Sequence, residues 1–560
     1  MRYFSTRGGD AELSFEEAVL TGLAPDGGLY IPDHVPQLPS SWQEDWASHS
    51  FADLAVAVLS LYISEDEINR DELRSLVEKS YSTFRHPDVT PLKQLDDETY
   101  ILELFHGPTF AFKDVALQLL GNLFEFFLKR RNARKSAGEA EERLTVVGAT
   151  SGDTGSAAIY GLRGKANVSI FILHPKGRVS PVQEAQMTTV TDTNVHNVAI
   201  KGTFDDCQDI VKALFGDRHF NAAHRLGAVN SINWARILAQ TVYYFLSYFH
   251  VRRQISAPAS ADIKLEYVVP TGNFGDILAG YYAKRMGLPI RRLVVATNAN
   301  DILARFWKSG RYEKVDADAV DDGIAEPAHG ASDGKQTVSG GVKETLSPAM
   351  DILVSSNFER LLWYLAYESV VGRHATEIGK VDGPSAVEKT KRREACHIVQ
   401  GWMSKVKSDG RVEVPVTVLE AARRDFAAER VSDELTLKTI RERFDGEPSY
   451  VADPHTAVAL AAAKIVKSTS APNTVQIVLS TAHPAKFSEA VTKALAGVSR
   501  HATREFNFER DVLPDEFRGL LDKERRVINV ERPDVEEVKR VIERFAQATE
   551  AAPNDFGCAV

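Results

Sequence analysis

The sequence predicts an α/β fold, and three recurring features carry that prediction. Short β-branched runs appear along the chain, a polar glycine-bearing turn follows most of them, and a helical pattern follows the turn. The run 144–148 (LTVVG) leads to a Gly/Ser/Thr turn and an Ala-rich helix beginning near Thr154, with 168–173 (VSIFIL) as the next strand. The run 265–269 (LEYVV) leads to PTGNFGD and the helical stretch DILAGYYAKRMG; 293–296 (LVVA) leads to TNANDILARFW, and 475–479 (VQIVL) to STAHPAKFSEAV. Unbroken apolar strands are those of a parallel sheet covered on both faces, and the strand–loop–helix order gives the class. In such sheets ligands bind beyond the carboxyl ends of strands, where these loops lie.

Residues 1–95 differ, with a Gly/Pro-rich start (APDGGLYIPDHVPQLPS) before helical patterns such as 52–63, and read as an N-terminal domain. The division expected is 1–95, a smaller α/β domain over 96–255 and a larger one over 256–560. Segment 132–142 reads as a solvated insertion and 254–262 as a linker. The acidic, then Gly/Ser-rich stretch 315–343 reads as a mobile insert, because loops of that length are uncommon inside compact domains.

Length and composition narrow the function. At 560 residues, 44% hydrophobic and 26% charged, the chain has ordinary globular usage. Sixty-seven basic against 77 acidic side chains leave a charge of −10, which argues against a nucleic-acid surface but not against a small cationic pocket. The stretch 117–128 is interrupted by Gln118, Gly121, Asn122 and Glu125, and 457–466 contains Lys464, so neither reaches the ~20 apolar residues of a membrane span. The N-terminus lacks the apolar core of a secretory signal. Cys207, Cys396 and Cys558 are too few and scattered for a disulfide framework or a zinc site. The expectation is a cytoplasmic protein without metal, nucleic-acid partner or membrane; nothing in the sequence speaks to oligomeric state.

Four loops could carry chemistry. In 270–276 (PTGNFGD), Gly272 and Gly275 let backbone N–H groups turn toward a ligand at a helix start, a phosphate cradle; a tight strand–helix turn with Asp276 favouring the helix start is the plainer alternative. It is neither a P-loop nor a dinucleotide fingerprint. In 148–156 (GATSGDTGS), the hydroxyls of Ser151, Thr154 and Ser156 and the freedom of Gly152 and Gly155 suit a small anion, against a turn capped by Asp153 or Thr154. In 106–114 (HGPTFAFKD), Lys113 falls near the start of a helix, flanked by Phe110, Phe112 and Val115. Desolvation there frees an amine as a nucleophile, although a snorkelling lysine is the commoner case. In 479–486 (LSTAHPAK), Ser480 and Thr481 end a strand, with helix capping as the alternative. Asp453-Pro454-His455 reads as a helix cap.

Together and in this order, HGPTFAFKD, VVGATSGDTGSAAIYGLRGK, GAVNSINWARILAQ, PTGNFGDILAGYYAKRMGLPI, TLSPAMDILVSSNFERLLW and STAHPAKF resemble the threonine synthases of the tryptophan-synthase-β-like pyridoxal-phosphate enzymes. The opening RGG…SFEEAVLTGLAPDGGLYIP matches as well. The likeness runs to about position 490, and the 315–343 insert departs from it. It implies two parallel-sheet domains of that fold plus the N-terminal domain, and pyridoxal 5'-phosphate as cofactor. It puts the Schiff-base lysine on Lys113, the cofactor phosphate on Gly272, Asn273, Phe274 and Asp276, and the pyridine nitrogen opposite Thr481. Ser151, Asp153 and Thr154 become neighbours of the substrate.

The implied activity is that of a lyase at the last step of threonine biosynthesis, turning O-phospho-L-homoserine and water into L-threonine and phosphate. A phospholyase giving 2-oxobutyrate from the same substrate would share every motif. A silent phosphate-binding protein would have lost Lys113 or GNFGD, and a P-loop nucleotidase would carry Lys-Ser/Thr. A neutral Thr481 holds no proton on the pyridine nitrogen as a carboxylate would, so the protein must stabilise charge elsewhere. Arg163, Lys176 and Arg178 are the cations at hand for the substrate phosphate.

Overall fold

In a computed structural model, the described residues are 1–8, 12–255, 263–314, 341–373, 386–500 and 504–550. They gather into two units, each assembled from two stretches of chain: Met1–Phe112 with Ser231–Leu513, and Lys113–Asn230 with Pro514–Val560. Compactness therefore cuts the chain differently from the three contiguous segments 1–95, 96–255 and 256–560. The N-terminal residues group with the larger unit, and the last strand and helix group with the smaller. The expected linker 254–262 and insert 315–343 lie largely outside the described residues.

The larger unit is built on a six-stranded sheet in the order Phe426–Arg430, Ile290–Thr297, Lys264–Pro270, Thr474–Ser480, Thr99–Glu103, Leu92–Gln94. All neighbours are parallel except the Leu92–Gln94 edge. Lys264–Pro270 is buried from its second residue onward, the pattern of a strand with helices on both faces. The helix Trp234–Gln254 is buried along nearly its whole length, and it packs on Gly275–Met286. Residues 1–95 pair Tyr3–Ser5 with Tyr30–Pro32 and add the helices Phe15–Thr21, Phe51–Leu59 and Arg70–Tyr81. Each of these helices opens on a reciprocal side-chain cap, at Ser14, Ser50 and Asn69.

The smaller unit is built on a five-stranded sheet in the order Ile528–Val530, Val195–Ile200, Val168–Pro175, Leu144–Ala149, Leu226–Ala228, parallel throughout. Val147, Phe171, Leu173, Val198 and Ile200 form one face of its core, against Cys207, Ile210 and Leu214 of the helix Phe204–Gly216 and Val538 and Ile542 of Val535–Glu550. Among the described residues no helix is long and apolar enough to cross a membrane.

The helix Lys113–Ala133 meets the helix Asp153–Leu162 backbone to backbone. A Cβ on Gly121 would stand 1.9 Å from the Gly161 carbonyl oxygen. Helix propensity alone favours alanine over glycine by about 1 kcal/mol. Forced separation of packed backbones costs about 1–3 kcal/mol, so sterics decide the sign. Gly121→Ala is expected to lower stability by up to about 2 kcal/mol, measured as a lower urea midpoint with unchanged slope.

Candidate active site

In the larger unit, the turn 107–112 is stitched to the segment after the Thr474–Ser480 strand. Ala111 and Ala482 form an antiparallel bridge; the Phe112 amide donates to the Thr481 carbonyl at 2.8 Å, and the His483 amide to the Phe110 carbonyl at 3.0 Å. Phe110 takes a left-handed backbone, φ +60°, which costs a bulky residue on the order of 1–3 kcal/mol. Its ring is held under the Arg85 guanidinium, 3.8 Å from the ring centre, while Arg85 also donates to the Gly107 and Pro108 carbonyls. From below, the buried Lys486 ammonium donates to the Thr109 carbonyl at 2.9 Å. The helix cap in this segment is His483, whose Nδ1 accepts from the Ala485 amide. Burial pushes the His483 imidazole down to about 4, which suits a neutral acceptor. Thr481 is left out of the capping; it is buried, and no described residue hydrogen-bonds its hydroxyl.

The loop 271–274 leaves the strand Lys264–Pro270 and enters the helix Gly275–Met286. Phe274 is the N-cap residue with φ +63° and ψ 3°, and it has no polar side-chain atom to cap the first turn. Its ring is fixed among Trp307, Phe358 and Phe426, at 6.1, 5.2 and 5.9 Å between centres. Asp276 does not cap either. Its buried carboxylate faces the neighbouring helix, accepting from Tyr243 at 2.5 Å and Tyr244 at 3.1 Å, and among the described residues Oδ2 has no partner. Burial, only partly countered by the two phenols, pushes this carboxyl up to about 7. The helix start is thus left to its own N–H groups, the arrangement that attracts an anion.

Behind the loop stands a layer the sequence reading did not single out. Ser355 Oγ donates to the Gly272 carbonyl at 2.6 Å, and the Asn357 side chain and backbone amide both donate to the Asn273 carbonyl at 3.0 Å. Asn357 is in turn held by Arg360, a fully buried guanidinium that also donates to the Tyr30 and Ile232 carbonyls. Arg7 pairs with Glu359 at 2.7 Å. The N-terminal segment thereby braces the loop through one arginine. Ser355, Asn357 and Arg360 all fall in the segment TLSPAMDILVSSNFERLLW, where nothing local marks which side chain is buried.

In the smaller unit, Lys113 is the first residue of the helix Lys113–Ala133, half-buried, with Asp114 fully buried beside it. A cation gains nothing from the helix dipole at the positive end of a helix. The 150–156 turn is capped by Thr150, whose hydroxyl accepts from the Gly152 and Gly155 amides at 3.0 and 2.9 Å; neither Asp153 nor Thr154 does this. Gln183 donates to Asp153 at 2.9 Å. Among the described residues, the hydroxyls of Ser151 and Thr154 make no hydrogen bond. Arg163 is paired with Asp192 and Lys176 with Glu531; Arg178 is exposed and enters no described ion pair.

Comparison with known proteins decides the family. Three family models match in succession: "Threonine synthase N terminus" over residues 2–81, "Pyridoxal-phosphate dependent enzyme" over 84–346 and "Threonine synthase, C-terminal" over 456–542. The chain is 56% identical to the threonine synthase of Schizosaccharomyces pombe, over 97% of each chain. It is 49% identical to the crystal structure of threonine synthase from yeast, with a TM-score of 0.84 and coverage of 98% and 99%. For the pyridoxal-phosphate-bound threonine synthase of Brucella melitensis the values are 39%, 0.80, 98% and 100%. The chain belongs to the threonine synthase family. It is a pyridoxal-phosphate-dependent enzyme with the two-sheet α/β fold expected of that family.

The residues present fit that cofactor: a helix start without a side-chain cap for the phosphate, a buried threonine hydroxyl without a partner, and a lysine opening a helix. The Asp276 carboxyl gives a pH test of the phosphate-loop environment. With its value raised above that of an exposed carboxyl, folding takes up a proton between about pH 4 and 7. Stability then falls as pH rises through that window, by up to about 1.4 kcal/mol per pH unit. Asp276→Asn, which has no proton to lose, is expected to be more stable than the parent apoprotein at pH 8. The advantage shrinks toward pH 4; urea unfolding at both pH values measures it.

Proposed function

We propose that this enzyme converts O-phospho-L-homoserine and water to L-threonine and phosphate, as a cytoplasmic step of amino-acid biosynthesis. The observation that supports this most is the co-occurrence, in one chain, of Lys113 at a helix start, the uncapped loop 272–276 and the unpartnered Thr481. Gly272, Asn273 and Phe274, with the Asp276 backbone amide, would hold the cofactor phosphate; the Asp276 carboxylate is committed to the tyrosines. Thr481 would donate its hydroxyl to the pyridine nitrogen. When bound, pyridoxal phosphate supplies an electron sink for carbanions next to the substrate amine.

The chain's own part is to bind, orient and move protons. Lys113 would hold the cofactor covalently through its amine until the substrate amine displaces it. The released amine would take the protons from Cα and Cβ, which places negative charge beside Cγ and expels phosphate, and would return a proton to Cγ to make the methyl group. Water would then add at Cβ with a proton returned to Cα. Ser151, Asp153 and Thr154 lie on the loop assigned to the substrate, where the free hydroxyls of Ser151 and Thr154 suit its carboxylate.

The experiment is direct: incubate the holoenzyme with O-phospho-L-homoserine and identify the amino-acid product and the released phosphate in equal amounts. L-threonine supports the reading, whereas 2-oxobutyrate with ammonia replaces it by the phospholyase. Lys113→Ala is expected to keep its fold and lose at least about 10³-fold in turnover, since it removes both the covalent anchor and the base.

A further inference from the structure

Asp453 and His455 read from sequence as a helix cap, and they do cap. Asp453 accepts from the His455 and Thr456 amides at the start of the helix Pro454–Val466. Capping uses backbone amides alone, yet both side chains do more and both are buried, at 0% and 2% exposure. The His455 ring lies 2.7 Å from Asp453 through Nδ1, and its Nε2 accepts from the Ala349 amide at 3.1 Å. An imidazole nitrogen that accepts carries no hydrogen, so the ring proton sits on Nδ1 and points at the carboxylate. The carboxylate is itself locked. Its other oxygen takes the Thr456 hydroxyl, which stands 2.9 Å from the Ser480 hydroxyl.

Ala349 matters because of where its peptide leads. It lies in the short turn Pro348–Met350, and its carbonyl oxygen stands 2.8 Å from where a Cβ on Gly272 would be. One face of the 272–276 loop backbone therefore rests on the Ala349 carbonyl, one peptide unit on from the Ala349 amide that His455 holds. A second imidazole contact, the Phe487 ring edge-on at 4.7 Å, fixes the ring plane.

We propose that His455, oriented by Asp453, is a positioning residue for the phosphate loop: it fixes the 348–350 turn, and that turn sets the backbone of Gly272. This rests on the reading that the loop 272–276 holds the cofactor phosphate. Neither side chain touches the cofactor; the pair acts through Ala349.

The test measures affinity of the apoprotein for pyridoxal 5'-phosphate and, separately, for pyridoxal, which lacks the phosphate, by absorbance titration. Glutamine places a carbonyl where Nε2 accepts and loses the Asp453 donor; asparagine places a donor near Nδ1 and loses the acceptor. His455→Asn and His455→Leu are expected to weaken pyridoxal phosphate about tenfold with pyridoxal changed less than about twofold. His455→Gln is expected to recover most of that loss. Equal weakening of both compounds, or an asparagine variant better than the glutamine one, overturns the relay. Should His455→Leu fail to fold, the Gln/Asn contrast decides alone. Gly272→Ala separates the two layers of the argument. If it leaves pyridoxal phosphate affinity unchanged, the phosphate-loop reading itself fails. If it weakens affinity while the His455 variants do not, only the positioning role fails.

Discussion

The two-residue antiparallel bridge between Ala111 and Ala482 is the contact on which the Thr481 segment of the larger unit depends. It joins the turn that ends one residue before Lys113 to the strand end that carries Thr481. A bridge this short has little stability of its own, so its surroundings enforce it. Arg85 lies above the Phe110 ring and holds two turn carbonyls, while the buried Lys486 holds a third from the other side. Both cations donate to backbone carbonyls, which fixes the main chain of the turn.

The loop 271–274 repeats the same solution with different means. Phe274, like Phe110, stands in a left-handed conformation that its side chain disfavours. Three aromatic rings hold it there, and Ser355, Asn357 and, behind them, Arg360 hold the carbonyls of Gly272 and Asn273. Strain of this kind persists only where surrounding contacts over-determine the geometry. The result is a loop backbone fixed by contacts on its ring and its carbonyls, with no side-chain cap on the helix start.

The sequence was most legible where burial on both faces makes a strand a plain apolar run. All five runs read as strands are strands, extended by one to four residues. The strands passed over have reasons to be: Val195–Ile200 carries His196 and Asn197 in mid-run, Phe426–Arg430 is an edge strand of Ala and Glu, and Ile528–Val530 has three residues. The four loops stood out because glycine, proline and hydroxyl residues crowd them. What stayed hidden was the layer behind. His455 reaches Ala349 and Arg360 reaches Tyr30 across more than a hundred residues, and no local pattern records such a contact. The capping alternatives fell for a related reason: Asp153, Thr154 and Asp276 are all good capping types, yet Thr150 does the work at one loop and backbone amides stay without a side-chain cap at the other.

Lys486 of the larger unit lies in the segment that carries the bridge, and that makes the central claim decidable. Lys486 is buried with its ammonium on a backbone carbonyl, whereas Lys113 opens its helix half-buried. Reduction of the holoenzyme with borohydride, followed by digestion and mass mapping, shows which lysine bears the coenzyme. A single pyridoxyl group on the peptide containing Lys113 is the expected result; the group on Lys486, or on neither, would contradict the account.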